Sequence, residues 1–119
     1  MNELDEVFAA VAAYFAVMAE PTRLRIIHAT CLQERSVNQI AEELHATQSN
    51  ISRHLGFMHR SGVLARRKEG NQVFYRISDA TMIEICRVVC TQIAARIDER
   101  RPLRKGLLKL IPGRRKLAA

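Results

Sequence analysis

Apolar residues recur along most of the chain at the spacing of helices. Residues 4–18 are apolar almost all round, which predicts a helix that must be covered on several sides, by its own core and by a partner chain. Pro21 restarts the chain, because proline suits a first helical turn and the residue before it, Glu20, leaves helical geometry. A second helix is predicted from the apolar positions that follow, namely Leu24, Ile26, Ile27, Cys31 and Leu32.

Two short helices joined by a tight turn are predicted next. Ser36 is placed to cap the third helix, and Gln39 three residues later completes a capping box. Residues 45–46 form the turn, Thr47 caps the fourth helix, and Gly62 ends it. The buried stripes of the two helices are Val37, Ile40, Ala41 and Leu44, then Ile51, Leu55 and Met58. Two helices so connected predict a helix-turn-helix.

A β-hairpin and a last helix complete the pattern. Two β-prone runs, residues 63–65 and 73–77, flank Gly70 and Asn71, and this arrangement predicts a hairpin with a basic tip. Ser78 is then expected to cap a helix with Met82, Ile85, Cys86, Val89, Cys90, Ile93 and Ile97 on its apolar side. The predicted fold is mainly α with a small β-hairpin: a winged helix-turn-helix of about five helices and a two-stranded wing.

The polar face of the fourth helix has an unusual composition for a surface helix. Gln and Asn side chains can bond N6 and N7 of adenine, Arg can bond O6 and N7 of guanine, and Ser reaches bases or phosphates. A helix that is only solvated favours Glu and Lys pairs, and a capped surface helix is the alternative interpretation. The candidate DNA-contacting residues on this face are Gln48, Ser49, Asn50, Ser52, Arg53 and His54.

Composition and net charge indicate that the partner is anionic. A chain of 119 residues with 48% apolar residues is long enough for one folded domain. Lys and Arg number 19 against 12 Asp and Glu, and the net charge of +7 suits nucleic acid or a membrane surface. Residues 53–76 have six basic side chains and one acidic, and those of the hairpin, expected along a phosphate backbone, are Arg66, Arg67, Lys68 and Arg76.

The last twenty residues differ in composition from the rest of the chain. They contain eight basic residues and no acidic residue, together with prolines and glycines at 102, 106, 112 and 113. This composition predicts a flexible basic tail, residues 100–119, without a long regular helix, following a DNA-binding and dimerisation domain at residues 1–99. The tail is interpreted either as a disordered arm or as a source of extra phosphate contacts.

The number of cysteines and the length of the longest uncharged run indicate the cellular compartment of the protein. An odd number of cysteines without a framework of regularly spaced pairs suits a reducing compartment. Residues 7–19 form an uncharged run of 13 residues, shorter than the roughly 20 residues of a membrane span. The residues before it are acidic, where a signal peptide would be positive. We therefore expect a soluble cytoplasmic protein that does not bind a membrane.

Taken in this order, the motifs resemble those of the ArsR/SmtB family of bacterial winged-helix repressors. The resemblance covers residues 4–97 and is carried by AEPTRLRI at 19–26, SVNQIA at 36–41, QSNISRHL at 48–55 and VFYR at 73–76. It implies a homodimer through the first and last helices, which binds double-stranded DNA containing an imperfect inverted repeat and is released by an inducer. It also implies base contacts by Gln48, Ser49, Ser52 and Arg53.

The metal sites of the family are not matched in this chain. Arsenic- and lead-sensing members have Cys-x-Cys in the third helix, where residues 37–39 here are Val, Asn and Gln. Zinc-sensing members use four residues of the last helix, of which only Asp79 is present, since Thr81, Gln92 and Ala95 occupy the other positions. No cofactor is firmly predicted.

Three thiols remain as candidates for sensing: Cys31, Cys86 and Cys90. Cys86 and Cys90 are four residues apart and share one helix face. Persulfide-sensing members pair a cysteine of the second helix with one of the last helix; those positions hold His28 and Ile93 or Ala94, one turn from Cys31 and Cys90. The alternatives are core packing, a switch that responds to an oxidant or reactive sulfur species, and As(III) or another soft metal bound by all three thiolates.

Two other classes of protein are alternatives to a repressor. A thiol redox or sulfur-transfer enzyme needs a catalytic partner for its cysteine, and the sequence contains no Ser-His-Asp set, glycine-rich phosphate loop or redox Cys-x-x-Cys. A protein-binding or membrane-surface module leaves the polar face of the fourth helix unexplained. We therefore predict a protein that is not an enzyme: a dimeric DNA-binding repressor released by a thiol-directed signal.

Overall fold

The computed structural model describes residues 2–111 of the chain. The elements are α1 (Glu3–Met18), α2 (Pro21–Thr30), β1 (Arg35–Ser36), α3 (Val37–Leu44), α4 (Gln48–Arg60), β2 (Leu64–Glu69), β3 (Gln72–Ile77), α5 (Ala80–Arg96) and α6 (Pro102–Leu110). They form two compact units that divide after Ser78. Of the predicted tail, residues 112–119, which include the basic residues at 114–116, lie outside the described residues.

Side-chain caps begin the helices of the helix-turn-helix as the sequence predicts. The Ser36 hydroxyl accepts a hydrogen bond from the Gln39 backbone N–H, and the Gln39 side chain accepts one from the Ser36 N–H, so the capping box is confirmed. Thr47 caps α4 by accepting from the Asn50 N–H at 3.2 Å. Each cap satisfies backbone donors that the first turn of a helix leaves unpaired.

The turn between α3 and α4 depends on one residue in the left-handed region. His45 has φ 53°, and its backbone N–H donates to the carbonyls of the last turn of α3, those of Ala41 and Glu42. This conformation ends α3 and lets α4 begin three residues later. The predicted turn at residues 45–46 is therefore the connection that the structure contains.

The hairpin is part of a three-stranded antiparallel sheet with the order β1-β3-β2. Its register pairs Leu64 with Ile77 and Glu69 with Gln72, so Gly70 and Asn71 form the turn between the strands. Gly70 has φ +60°, a conformation that glycine adopts without strain. The two-residue strand β1 pairs with β3 and adds to the predicted two-stranded wing; its signal is too short to be recognised in a sequence.

The core of the first unit is the buried side of the helix-turn-helix and the base of the hairpin. Ile51, Leu55 and Met58 of α4 are 0% exposed. Burying each such side chain contributes about 1.5–3 kcal/mol to folding. The other large buried side chains of this unit include Val17, Ile26, Ile40, Val63, Leu64, Tyr75 and Ile77. Because one side of α4 is anchored in this way, its opposite side is held at the surface in a defined orientation.

The second unit begins with a cap that differs from the prediction. Asp79, not Ser78, caps α5 by accepting a hydrogen bond from the Met82 N–H at 3.0 Å. Ser78 still belongs to the end of the hairpin, because its hydroxyl donates to the Val63 carbonyl. A carboxylate at this position also interacts favourably with the positive end of the helix dipole. The expectation that Ser78 caps the last helix is thus corrected by one residue.

Helix α6 lies in the segment predicted to be a flexible tail. Pro102 occupies its first turn, which suits the fixed φ of proline, and the helix continues through Gly106 to Leu110. The Arg104 Nε donates to the Ala94 carbonyl near the end of α5 at 3.0 Å, and Ile111 is buried. Residues 102–110 are helical, whereas the composition predicted a tail without a long regular helix, and the compact units divide after Ser78. Contacts within the unit outweigh the helix-breaking tendency of Gly106, which costs about 1 kcal/mol.

In the described part of the chain, no single helix is long and apolar enough to span a membrane. Among the described helices, only α1 and α2 taken together reach the required length and composition, and they are bent by 76° at their junction.

Candidate nucleic-acid interface

The outer face of α4 presents polar side chains at the N-terminal end of the helix. Gln48, Ser49, Ser52 and Arg53 are all exposed, and Asn50 is half-buried beside them. The Arg53 Nη2 donates to the Asn50 Oδ1 at 2.6 Å, which holds the guanidinium along the helix. The N-terminus of a helix also favours negative charge, so phosphate groups would be attracted to the same end.

His54 is the exception among the six residues predicted on this face. It is 7% exposed and turns inward, where its Nδ1 lies 3.4 Å from the Arg23 Nη1. Its Nε2 lies 3.9 Å from the Glu20 carboxylate. Burial lowers the pKa of His54 from its ordinary value, against the opposing attraction of Glu20. We therefore remove His54 from the DNA-contacting set, because the same helix geometry that exposes Arg53 turns the next residue towards the core.

The wing, formed by β2 and β3, has basic side chains on both of its faces. Its register places Arg66 opposite Tyr75 and Arg67 opposite Phe74, so these two arginines lie on opposite faces of the hairpin. By the same alternation, Lys68 shares the face of Arg66, and Arg76 shares the face of Arg67. All four predicted basic residues of the wing are exposed.

Arg67 differs from the other basic residues of the wing in having two acidic partners. It forms ion pairs with Glu34 and with Glu69, the latter at 2.6 Å, and its guanidinium lies 4.7 Å from the centre of the Phe74 ring. The bond to Arg67 lowers the pKa of Glu34, and the two carboxylates raise the pKa of Arg67. The charge of Arg67 is therefore largely compensated within the protein, which sequence reasoning could not show because Glu34 lies 33 positions away.

The predicted sensing thiols are distributed over both units. Cys31 follows the end of α2, and its thiol donates to the His28 carbonyl at 3.2 Å. Cys86 and Cys90 are partly buried on α5, on the side that includes the buried residues Met82 and Ala94. Burial raises the pKa of Cys90, which disfavours its thiolate form.

No three His, Cys, Asp or Glu side chains among residues 2–111 are grouped so that they could hold a metal ion. Binding of As(III) by Cys31, Cys86 and Cys90 together stays a prediction, since Cys31 belongs to the first unit and the other two belong to the second.

A recognition helix followed by a basic hairpin is the arrangement of winged helix-turn-helix DNA-binding proteins, and this is the class that the fold defines. Residues 20–66 match the family described as "Bacterial regulatory protein, arsR family". The regulator Rv0081 of Mycobacterium tuberculosis is 30% identical over 96 residues, covering 80% of this chain and 83% of its own. Its crystal structure matches with a TM-score of 0.65, covering 81% of this chain and 93% of that one.

Two further relatives extend the comparison. The transcriptional activator HlyU of Vibrio cholerae is 32% identical over 71% of this chain and 82% of its own. The structure of its reduced form has a TM-score of 0.65 and covers 75% of this chain and 97% of that one. The transcriptional repressor BigR of Xylella fastidiosa is 26% identical, with a TM-score of 0.65 over 76% of this chain and 95% of that one.

The chain belongs to the ArsR family of bacterial regulatory proteins. This confirms the predicted class, a winged helix-turn-helix transcriptional repressor of the ArsR/SmtB type that binds DNA. Its similar proteins are transcriptional regulators and not enzymes. The fold prediction is confirmed as well, with six helices among residues 2–111 in place of about five and with β1 added to the wing.

Proposed function

We propose that the chain acts as a homodimeric repressor that binds an imperfect inverted repeat and is released when a thiol is modified. The observation that carries the DNA-binding part is the outer face of α4, where four exposed polar residues lie opposite fully buried ones. Such a helix can enter the major groove with its N-terminal residues facing base edges. Gln48, Ser49, Ser52 and Arg53 are assigned to bases, with Asn50 supporting Arg53.

The apolar surface of α1 supports the homodimer. Its exposed apolar residues are spaced by three or four positions along one face: Leu4, Val7, Phe8, Val11 and Phe15. On α5, the exposed apolar residues are Val88, Val89 and Ile93. Monomeric proteins rarely leave such stripes in water, and a second copy of the chain provides a matching surface through two-fold symmetry. Two recognition helices related by that symmetry read half-sites about 34 Å apart.

The DNA-binding proposal is tested with the DNA upstream of the gene that encodes the chain. We expect a mobility shift that competing unrelated DNA does not remove, and a footprint with two-fold symmetry. Sedimentation should give a dimer. A reporter fused to this DNA should be more active when the gene is deleted; because HlyU is named an activator, a less active reporter would reverse the assigned direction of regulation.

A thiol-directed signal is proposed as the inducer. All three cysteines are partly exposed, which gives small reagents access, and one relative was solved in a form specified as reduced. Burial raises the pKa of Cys90, which disfavours its thiolate form and would slow its reaction. The alternative inducer, As(III), would need thiolates from more than one of these positions.

Cysteine-to-serine variants test this part of the proposal. Cys31→Ser and Cys90→Ser should bind DNA as tightly as the wild type but should no longer be released by polysulfide or hydrogen peroxide. Cys86→Ser provides the comparison on the same face of α5. Mobility shifts with each reagent, with arsenite and with reductant separate the possible inducers. Release that persists in all three variants would contradict a thiol signal while leaving the DNA-binding proposal intact.

The role of the basic C-terminal segment stays a prediction. Helix α6 adds exposed Lys105 and Lys109 to the second unit, and cations at such positions can contact phosphates of any sequence. Substituting both by Gln should reduce the salt dependence of DNA binding without changing sequence preference.

A further inference from the structure

One arginine of α2 bonds to the last turn of α1. The Arg23 Nε donates to the Val17 carbonyl at 2.8 Å, and its Nη2 donates to the Ala16 carbonyl at 2.9 Å. Both carbonyls belong to the end of α1, where the helix itself supplies few donors. A cation at the C-terminus of a helix is also favoured by the helix dipole.

The same guanidinium contacts the inner side of α4. Its Nη1 lies 3.4 Å from the His54 Nδ1, and its central carbon lies 4.9 Å from the centre of the Phe57 ring. Glu20 completes the cluster, because its carboxylate accepts from the Arg23 backbone N–H and lies beside the other nitrogen of His54. A single planar group thus contacts α1 and α4 at once.

These contacts act on the orientation of α4 in addition to its buried side chains Ile51, Leu55 and Met58. His54 follows Arg53 directly, so the inner contact and the outer DNA-facing side chain are set by adjacent residues of one helix. A guanidinium can meet two carbonyls, an imidazole and an aromatic face because its donors are arranged in a rigid plane. An ammonium group in its place has one nitrogen and can satisfy only part of this set.

We infer that Arg23 is a positioning residue for DNA recognition, which holds the recognition helix α4 in a fixed orientation relative to the end of α1. The inference rests on the proposed function, in which α1 contributes to the dimer and α4 reads the operator. Its consequence is that the spacing and angle of the two recognition helices depend on a contact made inside each protomer. Arg23 itself reads no base.

Loss of positioning has a different signature from loss of a charge. A misoriented recognition helix loses contacts to base edges, whereas attraction to phosphates depends on charge and is much less sensitive to orientation. Substitution of Arg23 should therefore reduce the ratio of operator affinity to affinity for unrelated DNA. Removal of an exposed cation elsewhere on α2 should weaken both affinities by similar factors and leave that ratio unchanged.

The test compares Arg23→Ala and Arg23→Lys with Arg25→Ala, which removes the same charge from an exposed position of the same helix. Dissociation constants are measured for operator DNA and for unrelated DNA of equal length, and thermal unfolding establishes that each variant is folded. We expect both Arg23 variants to lose about tenfold in the affinity ratio, comparable to one lost base contact. Arg25→Ala should leave the ratio unchanged.

A double-mutant cycle separates positioning from general stability. Phe57→Leu keeps an apolar side chain but removes the ring under the guanidinium, and its effect on the affinity ratio should not add to that of Arg23→Lys. If Arg23→Ala does not fold, the cycle of Arg23→Lys and Phe57→Leu alone tests whether Arg23 positions α4. A folded Arg23→Lys variant with the wild-type ratio would overturn the inference. Failure of the wild type to prefer operator DNA would overturn the proposed function instead.

Discussion

The recognition helix α4 and the wing both have arginines exposed to solvent, but the charges of these arginines are compensated by other residues to different degrees. On α4, Arg53 is bonded to the neutral amide of Asn50, so its full charge remains available to a nucleic acid. On the wing, Arg67 is paired with two carboxylates, and its charge is largely compensated. A count of basic residues treats every cation alike, but the partners of each cation show which of them attract phosphate.

The two regions also differ in how they are anchored. The inner side of α4 is fixed by three side chains that are fully buried, whereas the wing is held mainly by pairing of its strands and extends exposed residues towards its tip. Rigid placement suits contacts to base edges, which require defined geometry. Phosphate contacts tolerate variation in position, since they depend chiefly on charge. We therefore expect sequence preference to come from α4 and general affinity from the wing.

The largest effect should follow from Arg53→Ala. Loss of one bidentate base contact costs about 1–3 kcal/mol, so operator affinity should fall by roughly ten- to a hundredfold and preference at one base pair should relax. Arg60→Ala is the matched control, because it removes an exposed cation from the other end of the same helix. Binding titrations against a set of single-base operator variants give the answer. Equal relaxation of preference in both variants would contradict the assignment of base reading to the N-terminal end of α4.

A smaller effect is expected for the wing, where the adjacent residues Arg66 and Arg67 should contribute differently to DNA binding. Arg66→Ala should weaken binding to all DNA sequences and reduce the slope of log K against log salt by about 1. Arg67→Ala should change that slope less, because Glu34 and Glu69 already compensate its charge. Glu34→Gln should have the opposite effect. Because it removes one carboxylate partner of Arg67, it should strengthen DNA binding at low salt. Identical slopes for the two arginine variants would show that the ion pairs open when DNA binds.

The smallest effect concerns the inner side of α4 and the pH dependence of stability. Since burial lowers the pKa of His54 below its unfolded value of about 6.5, the unfolded chain binds the proton first as pH falls. The free energy of unfolding should therefore decrease below about pH 6.5 and level off below the folded-state pKa. The charges that act on the ring are those of Glu20, Arg53 and Arg23. Denaturant titrations between about pH 5 and 7.5 should show a weaker decrease of the free energy of unfolding for His54→Gln than for the wild type.

Much of the fold follows from local signals. The capping box of Ser36, the cap at Thr47 and the turn at Gly70 depend on residues that are close in the sequence, and the structure confirms each of them. Strand β1 was not predictable, because two residues carry no pattern. Helix α6 was missed because Pro102 and Gly106 indicate a break, while the contact of Arg104 with Ala94 spans ten positions.

The candidate DNA interface was likewise predictable from the sequence only in part. The identities of its polar residues and the burial of the apolar stripe of α4 follow from the order of amino acids and from the helical period. Whether a polar residue is available to DNA is a different property, because it depends on partners from distant segments. His54 is held inside by Arg23, which lies 31 positions earlier.

The sequence by itself determined the class of this protein, since capping, periodicity and turn chemistry act over a few residues and specify a winged helix-turn-helix. Only the tertiary structure decided which polar residues face outward and which positive charges are unpaired. Those properties arise from contacts such as Arg67 with Glu34 and Arg23 with His54, which bring together residues more than thirty positions apart. Electrostatic compensation depends on distance in space, and distance along the chain does not reveal it.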